Sequence, residues 1–369
     1  MICGITNISL DIYKKPEYFY SGFFIMKNVD YIIVGDGYAA LFFAHQLTKN
    51  KKSFVIFSEG KKNASQISAG IINPVVLKRF SSFWLAQEQI DFFKKTLSEI
   101  EAYTGKNYYI PDRIHRIFHD EAEKILWLKK IKNEDLNAFL SPEFRKIEVI
   151  KNDFETGKVD QSARLDVEAF FSDMNNYLQK NHHLISEKFE YSLLNSETQT
   201  YKNVHFQHLV FCEGMSVQNN PYFSEIPVES NKGHHLKVKL SVKVEEGSTL
   251  KKKHFLFALD ENFHYYGGTY DRDQIEQDNQ ESALDELKKG LAEFYPHPFE
   301  IEEINFGFRP TVKDRRPIIG RHSKFENLYV FNGLGARGIL NGSYFSKQLF
   351  DFIEYNSPLN AEVDSKRFL

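Results

Sequence analysis

Residues 29–40 read Val-Asp-Tyr-Ile-Ile-Val-Gly-Asp-Gly-Tyr-Ala-Ala, an apolar strand that leads directly into a Gly-x-Gly-x-x-Ala turn. Residues 41–47 then predict an apolar helix, and residues 53–57 predict a second strand that is followed by Glu59. Strand, glycine turn, helix, strand and acid in this order are typical of a βαβ unit that binds a dinucleotide. The stretch therefore predicts the start of an α/β nucleotide-binding domain.

The small residues of this turn each meet a physical need. Gly35 allows the tight turn from strand to helix, Gly37 lets the backbone approach a pyrophosphate closely, and Ala40 lets the helix pack on the strand. The N–H groups and the positive dipole end of the helix N-terminus attract phosphate groups. We therefore expect the phosphates of a dinucleotide to bind at this turn.

The composition fits a globular protein of two domains. The chain has 369 residues, of which 42% are hydrophobic and 26% are charged, as is ordinary for soluble proteins. Lys and Arg number 47 against 50 Asp and Glu, so the basic excess typical of nucleic-acid binding is not visible. No apolar run approaches the roughly 18 residues that span a bilayer, so no membrane partner is expected. Cys3 and Cys212 are too few for a disulfide scaffold and fit a reducing cytoplasm.

The first 25 residues lack the basic start, the apolar centre and the small-residue cleavage site of a secretory signal. Met26 stands just before the first predicted strand. We predict that Met26 is the natural start and that the preceding segment is a translation-start artefact, with a short ordered extension as the alternative. Residues 1–28 are therefore assigned to an N-terminal extension outside both domains.

Apolar periodicity and glycine positions predict the elements that follow the first βαβ unit. Helices are predicted over residues 84–100, 121–131, 165–178, 282–294 and 338–355. Strands are predicted within residues 107–118, 254–259, 263–268, 301–308, 317–320 and 328–331, and residues 204–214 are predicted to be two strands joined by a turn. An early nucleotide turn, a strand-rich middle and a glycine-rich turn near the end predict two interleaved domains.

Five segments in a fixed order carry a resemblance to a known family. They are Val-Gly-Asp-Gly-Tyr-Ala-Ala (34–40), Ser-Ala-Gly-Ile-Ile-Asn-Pro (68–74), Leu-Val-Phe-Cys-Glu-Gly (209–214), Gly-Phe-Arg-Pro-Thr-Val-Lys-Asp-Arg-Arg-Pro-Ile-Ile-Gly (307–320) and Asn-Leu-Tyr-Val-Phe-Asn-Gly-Leu-Gly-Ala-Arg-Gly-Ile-Leu (327–340). Together they resemble the D-amino-acid oxidase and glycine oxidase superfamily of FAD enzymes. The last two are the most specific, since glycine oxidases have a similar Gly-Leu-Arg-Pro…Asp-Gly-x-Pro-x-Ile-Gly stretch before a glycine-rich turn.

The resemblance implies an α/β fold in which a Rossmann-like FAD-binding domain of the glutathione-reductase type is interleaved with an α+β substrate domain. The substrate domain is expected to contain a mostly antiparallel sheet. The predicted FAD-binding domain comprises residues 29–80, 150–225 and 305–369, and the predicted substrate domain comprises residues 81–149 and 226–304.

The resemblance also implies FAD as the cofactor and assigns residues to it by position. Glu59 follows the second strand, where an acid accepts hydrogen bonds from the adenosine ribose, although Ser58 falls where relatives often have that acid. The turn around Gly335 would bring N–H groups and a helix N-terminus to the electron-rich edge of the flavin. The predicted cofactor-binding residues are Gly35, Gly37, Tyr38, Ala39, Ala40, Ser58, Glu59, Ala64, Ser65, Ala69, Gly70, Ile71, Gly214, Gly335, Ala336, Arg337, Gly338 and Ile339.

Arg309 and Arg337 are the predicted catalytic residues. In glycine oxidase-like enzymes the arginine that matches Arg309 binds the substrate carboxylate, for which a planar guanidinium is better suited than a lysine. A structural ion pair is the alternative for Arg309, and a surface arginine at a helix N-terminus is the alternative for Arg337. His234 and His235 lie in a strand on the substrate side, where we expect structural histidines. No histidine is grouped with cysteines or acids as metal ligands would be, so no metal site is predicted.

The predicted function is FAD-dependent oxidation of a C–N bond in an amino acid or secondary amine that carries a carboxylate. Hydride would pass to flavin N5, and oxygen or another electron acceptor would reoxidise the flavin. Relatives often have a substrate-facing tyrosine in the strand that corresponds to residues 254–257, where this chain has Leu256 or Phe257. That difference disfavours a small polar amino acid as the substrate.

Two alternatives to this function stay open. Residues 68–74 and the Gly-Ala-Arg-Gly turn also resemble the oxidase half of the bifunctional enzymes that modify wobble uridine in tRNA, whose methyltransferase half is absent from this sequence. The substrate could therefore be a carboxymethylaminomethyl group on a nucleotide or tRNA, although the near-neutral net charge disfavours nucleic acid. A flavin-binding protein without turnover is the other alternative.

Overall fold

The computed structural model describes residues 27–271 and 280–368. The predicted start at Met26 and the segment before it lie outside the described residues. The helices are α1 (Tyr38–Lys49), α2 (Ala86–Thr104), α3 (Glu121–Ile131), α4 (Glu134–Asn137), α5 (Val167–Lys180), α6 (Gln280–Phe294) and α7 (Gly338–Tyr355), with short 3-10 helices at Tyr191–Leu193, Gly214–Asn219, Gly335–Arg337 and Ser365–Phe368. The strands are β1 (Lys27–Val34), β2 (Phe54–Phe57), β3 (Ile71–Ile72), β4 (Val75–Val76), β5 (Ser81–Ser82), β6 (Tyr109–Pro111), β7 (Arg113–Ile117), β8 (Leu140–Arg145), β9 (Thr156–Val159), β10 (Ala163–Leu165), β11 (Leu184–Ile185), β12 (Leu194–Asn195), β13 (Thr200–Tyr201), β14 (Val204–Phe211), β15 (Glu229–Leu240), β16 (Ser248–Lys251), β17 (Phe255–Ala258), β18 (His264–Gly267), β19 (Phe299–Thr311), β20 (Ile318–Arg321) and β21 (Leu328–Asn332).

The first sheet has the parallel centre that the opening βαβ unit predicts. Strand β1 pairs in parallel with β2 on one side and with β14 on the other, and β14 pairs in parallel with β21. Strand β11 extends the sheet beyond β2, β20 pairs with β21, and the hairpin of β12 and β13 adds to β14. Ile32 and Ile33 in β1 are fully enclosed, because side chains on both faces of a central parallel strand are covered.

Helices α1 and α7 pack against each other in the larger core beside this sheet. Glycines permit their close approach: a Cβ on Gly338 would lie 2.9 Å from Cδ2 of Tyr38, and one on Gly342 would lie 2.9 Å from Cδ2 of Phe42. Tyr38 and Gly338 are the first residues of the two helices. The N-termini of α1 and α7 therefore lie side by side.

The second sheet is mostly antiparallel and contains the strand-rich middle of the chain. Its order is β19, β15, β18, β17, β16, β7, β9 and β8, and the β16–β7 pair is its parallel pair among the described strands. Helix α6 covers one face, where Leu287 packs in a common core with Leu236, Leu256 and Tyr266. The opposite face carries Arg309 of the edge strand β19 and Asn231, which pairs with it in β15.

Most predicted helices and strands are confirmed, with shifts of a few residues at their ends. The prediction for residues 204–214 is wrong, because Val204–Phe211 form one continuous strand. His205, Gln207 and His208 interrupt the apolar pattern in the half of β14 where side chains are partly exposed. Pairing with β1 along the length of β14 overrides that local signal. Among the described helices, none has both the length and the apolar character to cross a bilayer.

The assignment of residues 29–80, 150–225 and 305–369 to one domain, and of residues 81–149 and 226–304 to the other, stays a prediction. The sheets give one relevant observation. Strand β9 and the whole of β19 belong to the second sheet, so parts of the predicted FAD-binding domain pair with the predicted substrate domain.

Arg164 connects a small sheet, β3–β10–β6, to the second sheet. Its Nε donates to Oδ2 of the buried Asp112 at 2.6 Å, and its Nη2 donates to the carbonyl of Ala258 in β17 at 3.1 Å. The guanidinium also lies 4.1 Å from the ring centre of Phe257. Because the ion pair is buried, loss of one partner leaves the other charge uncompensated.

We predict that Asp112→Ala lowers the free energy of unfolding by about 3 kcal/mol, because the Arg164 guanidinium is then buried without its partner. Urea unfolding followed by circular dichroism measures this loss. The double variant Asp112→Leu/Arg164→Met removes both charges and should be less destabilised than the single variant.

Glu187→Ala is the control, since it breaks the exposed ion pair of Glu187 with Lys202 and should leave stability nearly unchanged. An Asp112→Ala protein as stable as this control would show that Arg164 does not hold the two sheets together.

Candidate cofactor and substrate site

The turn between β1 and α1 is held between the ends of two neighbouring strands. Gly35 has φ +113°, and a Cβ there would lie 2.3 Å from the carbonyl oxygen of Cys212, just after β14. The Gly35 N–H donates to the Phe57 carbonyl at 2.9 Å, and the Cys212 N–H donates to the Val34 carbonyl at 2.8 Å. Gly35 therefore passes between β2 and β14 where there is no room for a side chain.

The N-cap residue of α1 has no side chain of its own, and Ser65 from the loop after β2 accepts a hydrogen bond from the first amide of the helix. Gly37 is the N-cap residue, and a Cβ on it would lie 3.0 Å from Oγ of Ser65. The Ser65 Oγ accepts from the Tyr38 N–H at 3.2 Å, and the Tyr38 hydroxyl forms a 2.8 Å hydrogen bond with Oγ of Ser68. The loop after β2 therefore lies directly against this helix N-terminus. The predicted residues that meet here are Gly35, Gly37, Tyr38, Ala39, Ala40, Ala64 and Ser65.

The residues at the end of β2 are arranged differently from the prediction for Glu59. Ser58 directly follows the strand and donates from Oγ to Oδ2 of Asp36 at 2.5 Å. The Asn63 amide donates to the other oxygen, Oδ1, at 2.8 Å. Glu59 is exposed and pairs with Lys61 instead. The carboxylate at the end of β2 thus belongs to Asp36, which is itself a residue of the glycine turn.

The second glycine turn leads from β21 into α7. Gly333 and Gly335 have φ +69° and +59°, and the 3-10 helix Gly335–Arg337 contacts the end of β19. Gly214 also lies near this end of β19, since its Cβ would meet Cγ of Pro310 at 4.0 Å. The predicted residues brought together here are Gly214, Gly335, Ala336, Arg337, Gly338 and Ile339.

The predicted residues Ala69, Gly70 and Ile71 lie where the loop after β2 joins the small sheet. Gly70 has φ +69°, and a Cβ on it would lie 2.3 Å from the Leu165 carbonyl. The Leu165 N–H donates to the Gly70 carbonyl at 2.8 Å. The neighbouring Ser68 contacts Tyr38, so this loop continues from the α1 turn towards the small sheet.

Arg309 extends from β19 across the face of β15. A Cβ on Gly233 would lie 2.2 Å from both Nη1 and Nη2 of Arg309, so the guanidinium occupies the space above that glycine. Its Nη1 donates to Oδ1 of Asn231 at 2.9 Å and to the Thr269 carbonyl at 3.1 Å. Its Cζ lies 4.5 Å from the ring centre of Tyr270, over the face of that ring. Within residues 27–271 and 280–368, Arg309 has no carboxylate partner. Among the described residues, Arg309 therefore does not form the structural ion pair that was its alternative role.

An aromatic column lies beside Arg309 on the same face of the sheet. His235 stacks on Tyr265 with ring centres 4.6 Å apart, and Tyr265 stacks on Phe257 at 4.8 Å. Burial and the nearby Arg309 lower the pKa of His235 to about 4, so its imidazole is neutral at pH 7. Burial raises the pKa of the Tyr265 hydroxyl, which is therefore protonated. The wall beside Arg309 is aromatic and uncharged.

Sequence reasoning missed Asn231 and Thr269, which accept hydrogen bonds from Arg309, and the nearby Tyr265 and Tyr270. Leu256 faces the core under α6, whereas Tyr265 pairs with Phe257 on the face that carries Arg309. A tyrosine is thus present on this face, but in the strand next to the one that contains residues 255–258. The strand alternation of residues 263–268 could have indicated Tyr265, but only with the pairing register known.

Arg337 lies at the N-terminus of α7 with its guanidinium 4.5 Å from the ring centre of Phe83. Burial lowers the pKa of this guanidinium, the nearby Tyr270 opposes that change, and Arg315 and Arg316 add to it. Tyr270 therefore lies close to both predicted catalytic arginines. Within the described ranges, no carboxylate pairs with Arg337.

These features fit an anionic dinucleotide. Three features favour a negatively charged ligand. The two helix N-termini lie side by side and have no hydrogen bonds from N-cap side chains, and the glycine turns before them have no room for larger residues. Arg309 and Arg337 have no carboxylate partners in the described ranges. Among the same residues, no cluster of three or more possible metal ligands is present.

The chain is similar to known proteins in sequence and in fold. The family model described as DAO, FAD dependent oxidoreductase, matches residues 30–351. A curated relative, the tRNA 5-methylaminomethyl-2-thiouridine biosynthesis bifunctional protein MnmC of Campylobacter jejuni, is 24% identical over 340 residues, which cover 87% of this chain and 50% of that protein. The chain thus spans about half the length of the curated relatives it matches.

Solved structures share the fold at low sequence identity. Glycine oxidase from Geobacillus kaustophilus is similar with a TM-score of 0.72 and 16% identity, over 91% of this chain and 96% of that one. Iminodiacetate oxidase from Chelativorans sp. BNC1 has a TM-score of 0.68 and 18% identity, over 92% and 98% of the two chains. An L-alpha-glycerophosphate oxidase from Mycoplasma pneumoniae, solved with FAD bound, has a TM-score of 0.63 and 15% identity, over 91% and 98%.

The predicted fold class and the FAD cofactor are confirmed by these matches. Because the family model covers most of the sequence, the chain belongs to the DAO family of FAD-dependent oxidoreductases.

Proposed function

We propose that the protein oxidises a C–N bond in a small amino acid or secondary amine whose carboxylate binds to Arg309. The placement of Arg309 carries this proposal. Its guanidinium lies above Gly233, has no carboxylate partner among the described residues and extends from a strand that contacts the Gly335–Arg337 turn. A planar guanidinium with unused N–H groups binds a carboxylate through two parallel hydrogen bonds.

The roles of the chain's residues follow from this placement. Bound FAD supplies the hydride acceptor, flavin N5. Arg309 binds the carboxylate and thereby fixes the position of the adjoining carbon, and Asn231 holds the guanidinium in place. The neutral His235 adds no charge beside Arg309, and the buried Tyr265 limits the size of a substrate beside it.

The names of structural relatives support a small carboxylated amine. Glycine and iminodiacetate each carry an amine nitrogen one carbon away from a carboxylate, and the oxidases named for them share this fold. Oxygen or another electron acceptor, and the cytoplasmic location expected from the cysteine content, stay predictions.

A second candidate is the oxidation of a carboxymethylaminomethyl group on a nucleotide or tRNA. Arg315 and Arg316 act electrostatically on Arg337, and the Arg316 guanidinium lies 4.2 Å from the ring centre of Trp84. Clustered arginines beside aromatic rings suit phosphates and bases. The curated relative named for tRNA thiouridine biosynthesis supports this candidate, although the chain spans half of its length.

We predict that Arg309→Ala weakens the binding of a small carboxylate by roughly 30- to 150-fold while FAD stays bound, because a charge-assisted two-point contact contributes about 2–3 kcal/mol. The perturbation of the flavin absorption spectrum during titration with the carboxylate measures the affinity. Arg309→Lys should recover part of the loss, since it keeps the charge without the planar geometry.

Arg145→Ala is the matched control, because it removes the same charge from an exposed arginine in β8, at the opposite edge of the second sheet from β19, and should leave carboxylate binding nearly unchanged. If Arg309→Ala binds the carboxylate as tightly as the parent, Arg309 is not the anchor, and Arg337→Ala becomes the next variant to measure.

We also predict which compounds reduce the flavin without oxygen. Glycine, sarcosine and iminodiacetate should bleach the flavin absorption, whereas methylamine, dimethylamine and diethylamine, which lack the carboxylate, should not. Stopped-flow absorbance measures the rates. Bleaching by a carboxymethylaminomethyluridine nucleoside but by none of the small acids would favour the second candidate, and no bleaching by any compound would favour a flavin-binding protein without turnover.

A further inference from the structure

The acid expected at the end of the second strand is missing from its usual position in this chain. In a nucleotide-binding βαβ unit that acid accepts hydrogen bonds from the ribose hydroxyls of the adenosine. Ser58 occupies the position directly after β2 and is 7% exposed. Its Oγ accepts from the Gly60 N–H at 3.0 Å and uses its only proton on Asp36, so it has little capacity left for a ribose.

Asp36 places a carboxylate at this position from the other side. It lies between Gly35 and Gly37, and its oxygens accept from Ser58 Oγ at 2.5 Å and from Asn63 Nδ2 at 2.8 Å. Each oxygen has a further lone pair, and no cation pairs with this carboxylate within the described ranges. The hydrogen bond with Ser58 places the Asp36 carboxylate at the end of β2. The adenosine ribose of a dinucleotide lies at this end when the pyrophosphate is at the α1 N-terminus.

Asn63 makes this arrangement rigid. Its Oδ1 accepts from the N–H groups of Ser65 and Gln66 at 2.9 and 3.1 Å, while its amide group donates to Asp36. The same Ser65 accepts from the first amide of α1. The carboxylate is therefore fixed by β2, by the loop after it and by the turn that carries it.

Glu59 lacks such contacts. It pairs with Lys61, whose side chain is 82% exposed, and it acts electrostatically on Tyr191, whose hydroxyl donates to Glu213. The exposed pair with Lys61 therefore does not fix the Glu59 carboxylate at the turn between β1 and α1.

We propose that Asp36 is the carboxylate that binds the adenosine ribose of FAD, with Ser58 as its positioning residue. This inference concerns the cofactor and does not depend on the proposed substrate. The acidic residue thus belongs to the glycine turn in the sequence, whereas its carboxylate lies at the end of β2 in the structure.

The test compares two nucleotides that differ in one ribose hydroxyl. Adenosine diphosphate and 2′-deoxyadenosine diphosphate are titrated into the full chain after removal of its flavin, and tryptophan fluorescence gives both dissociation constants. The parent should bind the deoxynucleotide roughly 10-fold more weakly, as expected for a lost hydrogen bond to a charged group. Asp36→Asn should bind FAD about 10- to 100-fold more weakly and bring the ratio of the two dissociation constants close to one.

The variant Glu59→Gln tests the rival acid and should keep the parent ratio. The double variant Asp36→Asn/Ser58→Asp returns the acid to the strand end and should recover most of the ratio. The proposal is overturned if the ratio of the two dissociation constants is already near one in the parent, or if it is unchanged in Asp36→Asn. A ratio near one in Glu59→Gln would also overturn it. If Asp36→Asn does not fold, Ser58→Ala replaces it, since the untethered carboxylate should lower the ratio, and an unchanged ratio would overturn the proposal.

Discussion

The close approach of Gly35 to the Cys212 carbonyl is the constraint on which the rest of the structure depends. Strand β1 can end between β2 and β14 only if the residue that follows it has no side chain and adopts a positive φ. Helix α1 then begins beside the ends of the parallel strands, and Tyr38 in its first turn packs on Gly338 at the start of α7. Two turns that are 300 residues apart in sequence thereby lie side by side, and both of their helix N-termini would attract an anionic ligand.

The second sheet contributes the charged side chain of Arg309 to the candidate site, whereas the helices beside the first sheet contribute backbone N–H groups at their N-termini. Gly233 and Gly268 leave space on the face opposite α6, and Arg309 fills it. A partly buried guanidinium is costly unless its N–H groups are satisfied, and here Nη1 alone has acceptors among the described residues. The carboxylate of the proposed substrate, bound beside Arg309, would satisfy the others.

Local patterns predicted the parts of the fold that depend on nearby residues. The first βαβ unit and helix α7 follow from glycine turns flanked by apolar runs, and α7 begins and ends as predicted. The single strand β14 was not predicted, because its pairing with β1 is a long-range contact that polar residues such as His205 conceal. For the site, Arg309 could be identified from its motif, whereas Tyr265 depends on strand register and Asp36 on a contact with Ser58 across the turn.

A crystal structure of the FAD-containing protein with a bound small carboxylate tests the central claim most directly. The account predicts that both carboxylate oxygens lie within about 3 Å of Arg309 guanidinium nitrogens, between the second sheet and the turn at Gly335–Arg337. A carboxylate held by Arg337 alone, with Arg309 still bonded only to Asn231 and Thr269, would contradict it.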